Sequence, residues 1–90
     1  MLKHTFTKPF RKELKLMEKR GLNLSKLREV IDMIIDEQPL PPERHNHPLH
    51  GKWEGSFDCH IHGDWVLIYK LNHTARTVTF QRTGTHSDLF

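Results

Sequence analysis

Two stretches near the N-terminus repeat apolar residues at helical spacing. Phe10, Leu14 and Met17 fall at i, i+4 and i+7 with lysines and arginines on the remaining faces, which predicts an amphipathic helix over residues 8–20. Thr7 can cap it, Pro9 is tolerated in its first turn, and Gly21 fits its stop. Leu27, Val30, Ile31 and Ile34 form a second stripe behind another capping residue, Asn23. Pro39, Pro41 and Pro42 end this second helix, because proline lacks the amide donor and disfavours helical geometry in the residue before it. The product is an α-hairpin whose apolar faces need a sheet to cover. Ahead of it, Met1 to Phe6 alternates weakly and can form a short strand.

In the second half the period drops to two. Between Trp53 and Ile61, one face carries Phe57, Cys59 and Ile61, and the other carries Asp58, His60 and His62. Trp65 to Leu71, WVLIYKL, reads as a central strand covered on both faces, and Thr77 to Arg82 as a third strand. Turns at Gly63-Asp64 and Asn72 to Arg76 join them into an antiparallel meander. Thr85 followed by Asp88 resembles a capping box, so residues 85–90 are expected to form a last helical turn. The fold class is α+β, an N-terminal α-hairpin packed on one face of an antiparallel sheet. The other face is left for function.

Length adds one constraint. Ninety residues make a single domain, 1–90, that buries only about 60% of the surface its unfolded chain exposes. The lone cysteine, Cys59, excludes an intramolecular disulfide, and its alternation with Phe57 and Ile61 makes it a core residue. No apolar run reaches signal-peptide or membrane-spanning length, so a cytoplasmic protein with no membrane partner is expected. The net charge of +3 is unevenly spread, since residues 1–20 hold seven basic and two acidic side chains. Lys8, Arg11, Lys12, Lys15, Lys19 and Arg20 on the first helix therefore suit a polyanion such as RNA, although the same charges also describe an ordinary solvated face.

The chemistry gathers between His45 and Trp65, where 21 residues hold five of the eight histidines, two aspartates and both tryptophans. Histidine exchanges protons near neutrality, so several imidazoles beside an arginine suit acid–base work on a phosphate ester. RNA carries its own nucleophile in the 2′-hydroxyl, and cleaving it requires a base, an acid for the 5′-oxygen and positive charge for the phosphorane. His47, His60, Asp64, Arg82 and His86 supply those roles with no metal and no cofactor. Trp65 and Phe90 can stack on a base, although a tryptophan opening a buried strand is also an ordinary core residue. His45, His47, His50, His60 and His62 could instead build a metal centre, but their spacing matches no HExxH-type motif. His4, His45, His50, His62 and His73 are expected to be surface residues without a role.

The strings HPL at 47–49, DCHIHGDW at 58–65, LIYKL at 67–71 and RTGTHSDLF at 82–90 resemble the YafQ branch of the RelE/ParE superfamily of toxin–antitoxin systems. The resemblance implies a ribosome-dependent mRNA endoribonuclease with a RelE-like fold, silenced by an antitoxin of the RelB/DinJ kind and acting on mRNA held by the ribosome. The family's functional positions fall on His47, His60, Asp64, Trp65, Arg82, His86 and Phe90. His86 takes the part of general acid and Arg82 stabilises charge on the phosphate; His47, His60 and Asp64 remain alternative bases, and Phe90 helps align the scissile step. Two other readings stay open at this point: a non-catalytic RNA- or partner-binding module on the same fold, and a metal-dependent hydrolase using the histidine cluster.

Overall fold

The computed structural model describes residues 1–90. A short strand β1 (Lys3–Phe6) precedes helices α1 (Lys8–Lys19) and α2 (Leu24–Ile35). Four more strands follow, β2 (His47–Pro48), β3 (Ser56–His62), β4 (Trp65–Asn72) and β5 (Thr77–Thr85), and the chain closes in a helical turn, α3 (His86–Leu89). Both long helices start where the capping residues predict: the Thr7 hydroxyl accepts from the Phe10 amide at 3.1 Å, and Asn23 Oδ1 accepts from the Ser25 amide at 3.0 Å.

The strands form one sheet in the order β1-β5-β4-β3-β2. The predicted antiparallel meander, β3-β4-β5, is its centre, but the sheet as a whole is mixed, because β1 runs parallel to β5 with Lys3 opposite Thr77 and Phe6 opposite Phe80. Parallel pairing needs a crossover, and the α-hairpin provides it, carrying the chain over one face of the sheet. β2, only two residues long, pairs antiparallel with β3 and went unpredicted, since two residues show no periodicity. β5 also runs three residues past the predicted end, to Thr85.

Two irregularities in register reset which residues face where. On β5, Ile68 of β4 lies opposite Arg82 while its neighbour Tyr69 lies opposite Phe80, which leaves Gln81 as a bulge. On β3 the register shifts between His60 and His62. The main core lies between the helices and the sheet, joining Phe10, Met17, Leu27 and Val30 to Cys59, Leu67, Tyr69 and Phe80. A second, smaller cluster of Val66, Ile68 and Leu89 sits apart from it, with Leu49 and Trp53 packed at its margin. No helix is long and apolar enough to cross a membrane.

Trp65 belongs to the main core. Only 3% of it is exposed, and its indole N–H donates to Thr83 Oγ1 at 2.9 Å, whose own hydroxyl donates to the Val66 carbonyl at 3.0 Å. The expectation that Trp65 stacks on an RNA base is thereby corrected: both ring faces are covered by protein. Thr83→Val would leave this buried indole N–H without an acceptor, a loss of about 1–3 kcal/mol. Urea denaturation of the variant is expected to show a lower midpoint with an unchanged slope.

Candidate active site

Strand register assembles the site. His47 of β2 lies opposite Asp58 of β3, Asp58 opposite Ile68 of β4, and Ile68 opposite Arg82 of β5, so four strands contribute one transverse row. The next row holds His60, Val66 and Gly84. Alternation places both rows on the face away from the helices, because the intervening Cys59 and Leu67 belong to the main core.

α3 then folds back over this face. Thr85 and Asp88 form the predicted capping box, with the Thr85 amide donating to Asp88 Oδ2 at 2.9 Å and the Asp88 amide donating to Thr85 Oγ1 at 3.3 Å. Arg20, at the end of α1, grips the same carboxylate in a two-pronged pair at 2.7 and 3.2 Å. These donors, Arg20 above all, hold the Asp88 carboxyl well below the usual carboxylate range. Close packing at Gly84 matters too, since a Cβ there would lie 3.1 Å from the Cβ of Asp88. The result places His86 at the head of α3, its amide donating to the Asp64 carbonyl at 3.1 Å, with Leu89 packed among Val66 and Ile68.

Four rings line up as a consequence. His45 and His60 have centroids 5.1 Å apart, His60 and His86 5.3 Å, and His86 and Phe90 5.8 Å. Phe90 is 57% exposed, an apolar face offered to solvent at the end of the row. His45, expected to be an idle surface residue, is part of this row because its backbone adopts left-handed geometry (φ 47°, ψ 45°), which costs an L-residue roughly 1–2 kcal/mol. Sequence spacing carries no trace of that conformation. Of the other predicted residues, Asp64 lies exposed in the turn between β3 and β4, touching His86 through its backbone, and His50 is exposed.

Beneath the row lies a residue that sequence reasoning passed over. Asp58 is 2% exposed, and its Oδ1 stands 3.1 Å from His47 Nε2 without the alignment of a hydrogen bond. Burial pushes this carboxyl above its ordinary value, opposed by attraction to His47, His60 and His86. One charge thus acts on three of the predicted catalytic imidazoles. The signal was its position two residues before His60 on the polar face of β3. His47 is held from both sides, since its Nδ1 also lies 2.7 Å from the His45 carbonyl oxygen. That carbonyl can only accept, which assigns the Nδ1 proton to His47 and turns Nε2 toward Asp58.

Two predicted cations are engaged elsewhere. Arg82 is paired through Nε and Nη2 with both oxygens of Glu13 on α1, at 2.8 and 2.7 Å, and this pairing raises its pKa further. Arg20, expected to bind RNA, is committed to Asp88. Lys8, Arg11, Lys12, Lys15 and Lys19 are exposed and make no ion pair. Cys59 is buried in the core, and burial pushes its thiol up to about 12, which removes it as a nucleophile. No three histidine, cysteine, aspartate or glutamate side chains converge to hold a metal ion. The imidazoles are disposed in a row instead of around a point.

The profile of the family described as the bacterial toxin of type II toxin–antitoxin systems, YafQ, matches residues 2–90. The mRNA interferase toxin YafQ of Escherichia coli K12 is 43% identical over 82 residues, spanning 90% of this chain and 87% of that protein. In the crystal structure of the E. coli DinJ–YafQ complex, a chain 37% identical superposes with a TM-score of 0.92, covering 100% of this chain and 99% of that one. A metal-bound toxin from Helicobacter pylori superposes equally well, with a TM-score of 0.92, 37% identity and complete coverage of both chains.

Asp58 gives the site a measurable stability signature. Its native pKa lies above the unfolded value of 3.8, so from that pH upward the unfolded chain releases this proton more readily and wild-type stability falls. Asp58→Asn removes that loss. The variant is expected to have the higher urea midpoint at pH 7, with the advantage vanishing as pH falls to about 3.8. A less stable variant at pH 7 would mean that the imidazoles more than compensate the buried charge.

Proposed function

Because this chain belongs to the YafQ family of bacterial toxins of type II toxin–antitoxin systems, we propose that it is an mRNA interferase that cuts mRNA on the ribosome. The observation that carries this reading is the row of His60, His86 and Phe90 above the buried Asp58. Two adjacent imidazoles, one neutral and one protonated, suit transfer of a proton from the 2′-hydroxyl and delivery of another to the 5′-oxygen.

His86 acts as the acid. Of the three candidate bases, the geometry favours His60, because His47 has Nδ1 occupied by a carbonyl and Nε2 turned to Asp58, whereas neither ring nitrogen of His60 is hydrogen-bonded. His47 with Asp58 then orients and charges the floor of the site. Phe90 supports a base at the end of the row. Arg82 can offer a phosphate both prongs of its guanidinium fork by releasing Glu13, an exchange of one anionic partner for another. The unpaired lysines of α1, with Arg11, supply the sequence-independent grip on ribosomal RNA.

An antitoxin of the DinJ kind is the proposed silencing partner. Its support in this chain is an apolar groove of about 670 Å³ between β1, α1 and α2, walled by Phe6, Phe10, Leu14 and Leu27, with Arg11 and Arg28 beside it and Asp32 the one acid. No three histidine, cysteine, aspartate or glutamate side chains of this chain converge on one point, and the acid–base steps above use none but its own residues.

Purified protein added to a translating extract, with mRNA 5′ ends mapped by primer extension, tests the reading. Codon-phased cuts are expected, lost by at least about a hundredfold in His86→Ala, the usual weight of a general acid. Free RNA incubated with and without EDTA is the control: cleavage of free RNA that chelation abolishes would instead support a metal hydrolase, and tight RNA binding with no cuts a binding module. Arg82 has its own test. If it engages phosphate directly, Arg82→Ala lowers the cleavage rate while Glu13→Gln, which frees the guanidinium, does not. Equal losses in both variants would make the pair a strut between α1 and β5.

A further inference from the structure

Beside His60, a polar cavity of about 340 Å³ opens between the turn Pro42–Arg44 and the end of β3. Its walls include Arg44, His45, His60 and His62, and its one carboxylate is that of Glu43, which is exposed. Nothing in the acid–base chemistry above uses Arg44 or His62.

Arg44 is oriented without an anion. Its Nη1 donates to the Ile61 carbonyl at 2.5 Å, its Nε is buried with no acceptor, and it makes no salt bridge. No carboxylate of the chain neutralises this half-buried guanidinium. His62 lines the same cavity, and its Nδ1 lies 3.4 Å from Lys26 Nζ, an ammonium that can only donate to it. His45 faces the same cavity from its left-handed backbone. Two elements, the turn after α2 and the end of β3, therefore bring Arg44, His45 and His62 to one cavity.

The guanidinium fork matches phosphate oxygens, and the cavity shares His60 with the proposed catalytic pair. We propose that Arg44, His45 and His62 form a second anion subsite, which takes a phosphodiester adjacent to the scissile one on the same mRNA strand. This rests on the nuclease reading. It makes Arg44 a substrate-binding residue and explains the position of His45: one imidazole wall serves both the reacting phosphate and its neighbour.

A double-replacement cycle tests it on ribosomes programmed with a short mRNA whose A-site codon carries, in turn, a neutral methylphosphonate at the phosphate 5′ or 3′ of the scissile bond. On unmodified mRNA, Arg44→Gln and His62→Gln are each expected to lower kcat/KM about tenfold, as for loss of one phosphate contact. The wild type should lose a similar factor at one of the two methylphosphonate positions, and neither variant should lose more there, because the contact is already gone. His62 is exposed, so its variant carries the test even if Arg44→Gln disturbs the turn. Losses that multiply at both positions, or variants that cut as the wild type does, would overturn the subsite while leaving the nuclease standing. A wild type that cuts no mRNA removes the nuclease reading and the subsite with it.

Discussion

The carboxylate of Asp88 is the tie on which the functional face hangs. It accepts from Arg20 at the end of α1 and from the Thr85 amide at the end of β5, and so joins the first helix, the last strand and the last turn at one point. Without that tie α3 would be four residues of exposed chain, far below the length at which a helix is stable alone. With it, Leu89 closes the small apolar cluster over Val66 and Ile68, and His86 and Phe90 come to rest in line with His60. An exposed ion pair contributes little by itself. Here it shares its anion with a capping box, and the geometry is worth more than the charge.

The face that α3 covers is built against stability. Asp58 is buried where burial disfavours its charged form, and it is flanked by imidazoles instead of being hydrogen-bonded. A core selected for stability alone would place an apolar residue opposite Ile68. Retaining a carboxylate there makes sense if its field is the product, acting on His47, His60 and His86 together through a medium that screens poorly. The left-handed backbone at His45 belongs to the same pattern, since strain is tolerated where it aims a ring into the row.

Several side chains that look chemical turn out to be architectural, or both. Trp65 is a core residue whose indole is answered by Thr83. Arg20 positions α3, and so reaches the site only through Asp88 and His86. Arg82 stands in the transverse row with His47 and Asp58 by register, yet its guanidinium is bound to Glu13 of α1. A positive charge with a ready carboxylate partner is held in place until a stronger anion competes for it.

Periodicity along the chain was enough to determine both long helices, their caps, the three central strands and the capping box at the tail, because each depends on side chains within a few residues of one another. It also determined the polar face of β3 and the titratable groups near its ends. What it left open needed contacts between distant segments. The parallel edge strand β1 depends on a partner more than seventy residues away, and β2 is too short to show a period. The alignment of His47, Asp58, Ile68 and Arg82 depends on register and on a bulge at Gln81 that no local pattern announces. Whether an arginine is free or paired, a tryptophan open or buried, and a histidine idle or in line is a property of what lies opposite it, and only the tertiary structure decides that.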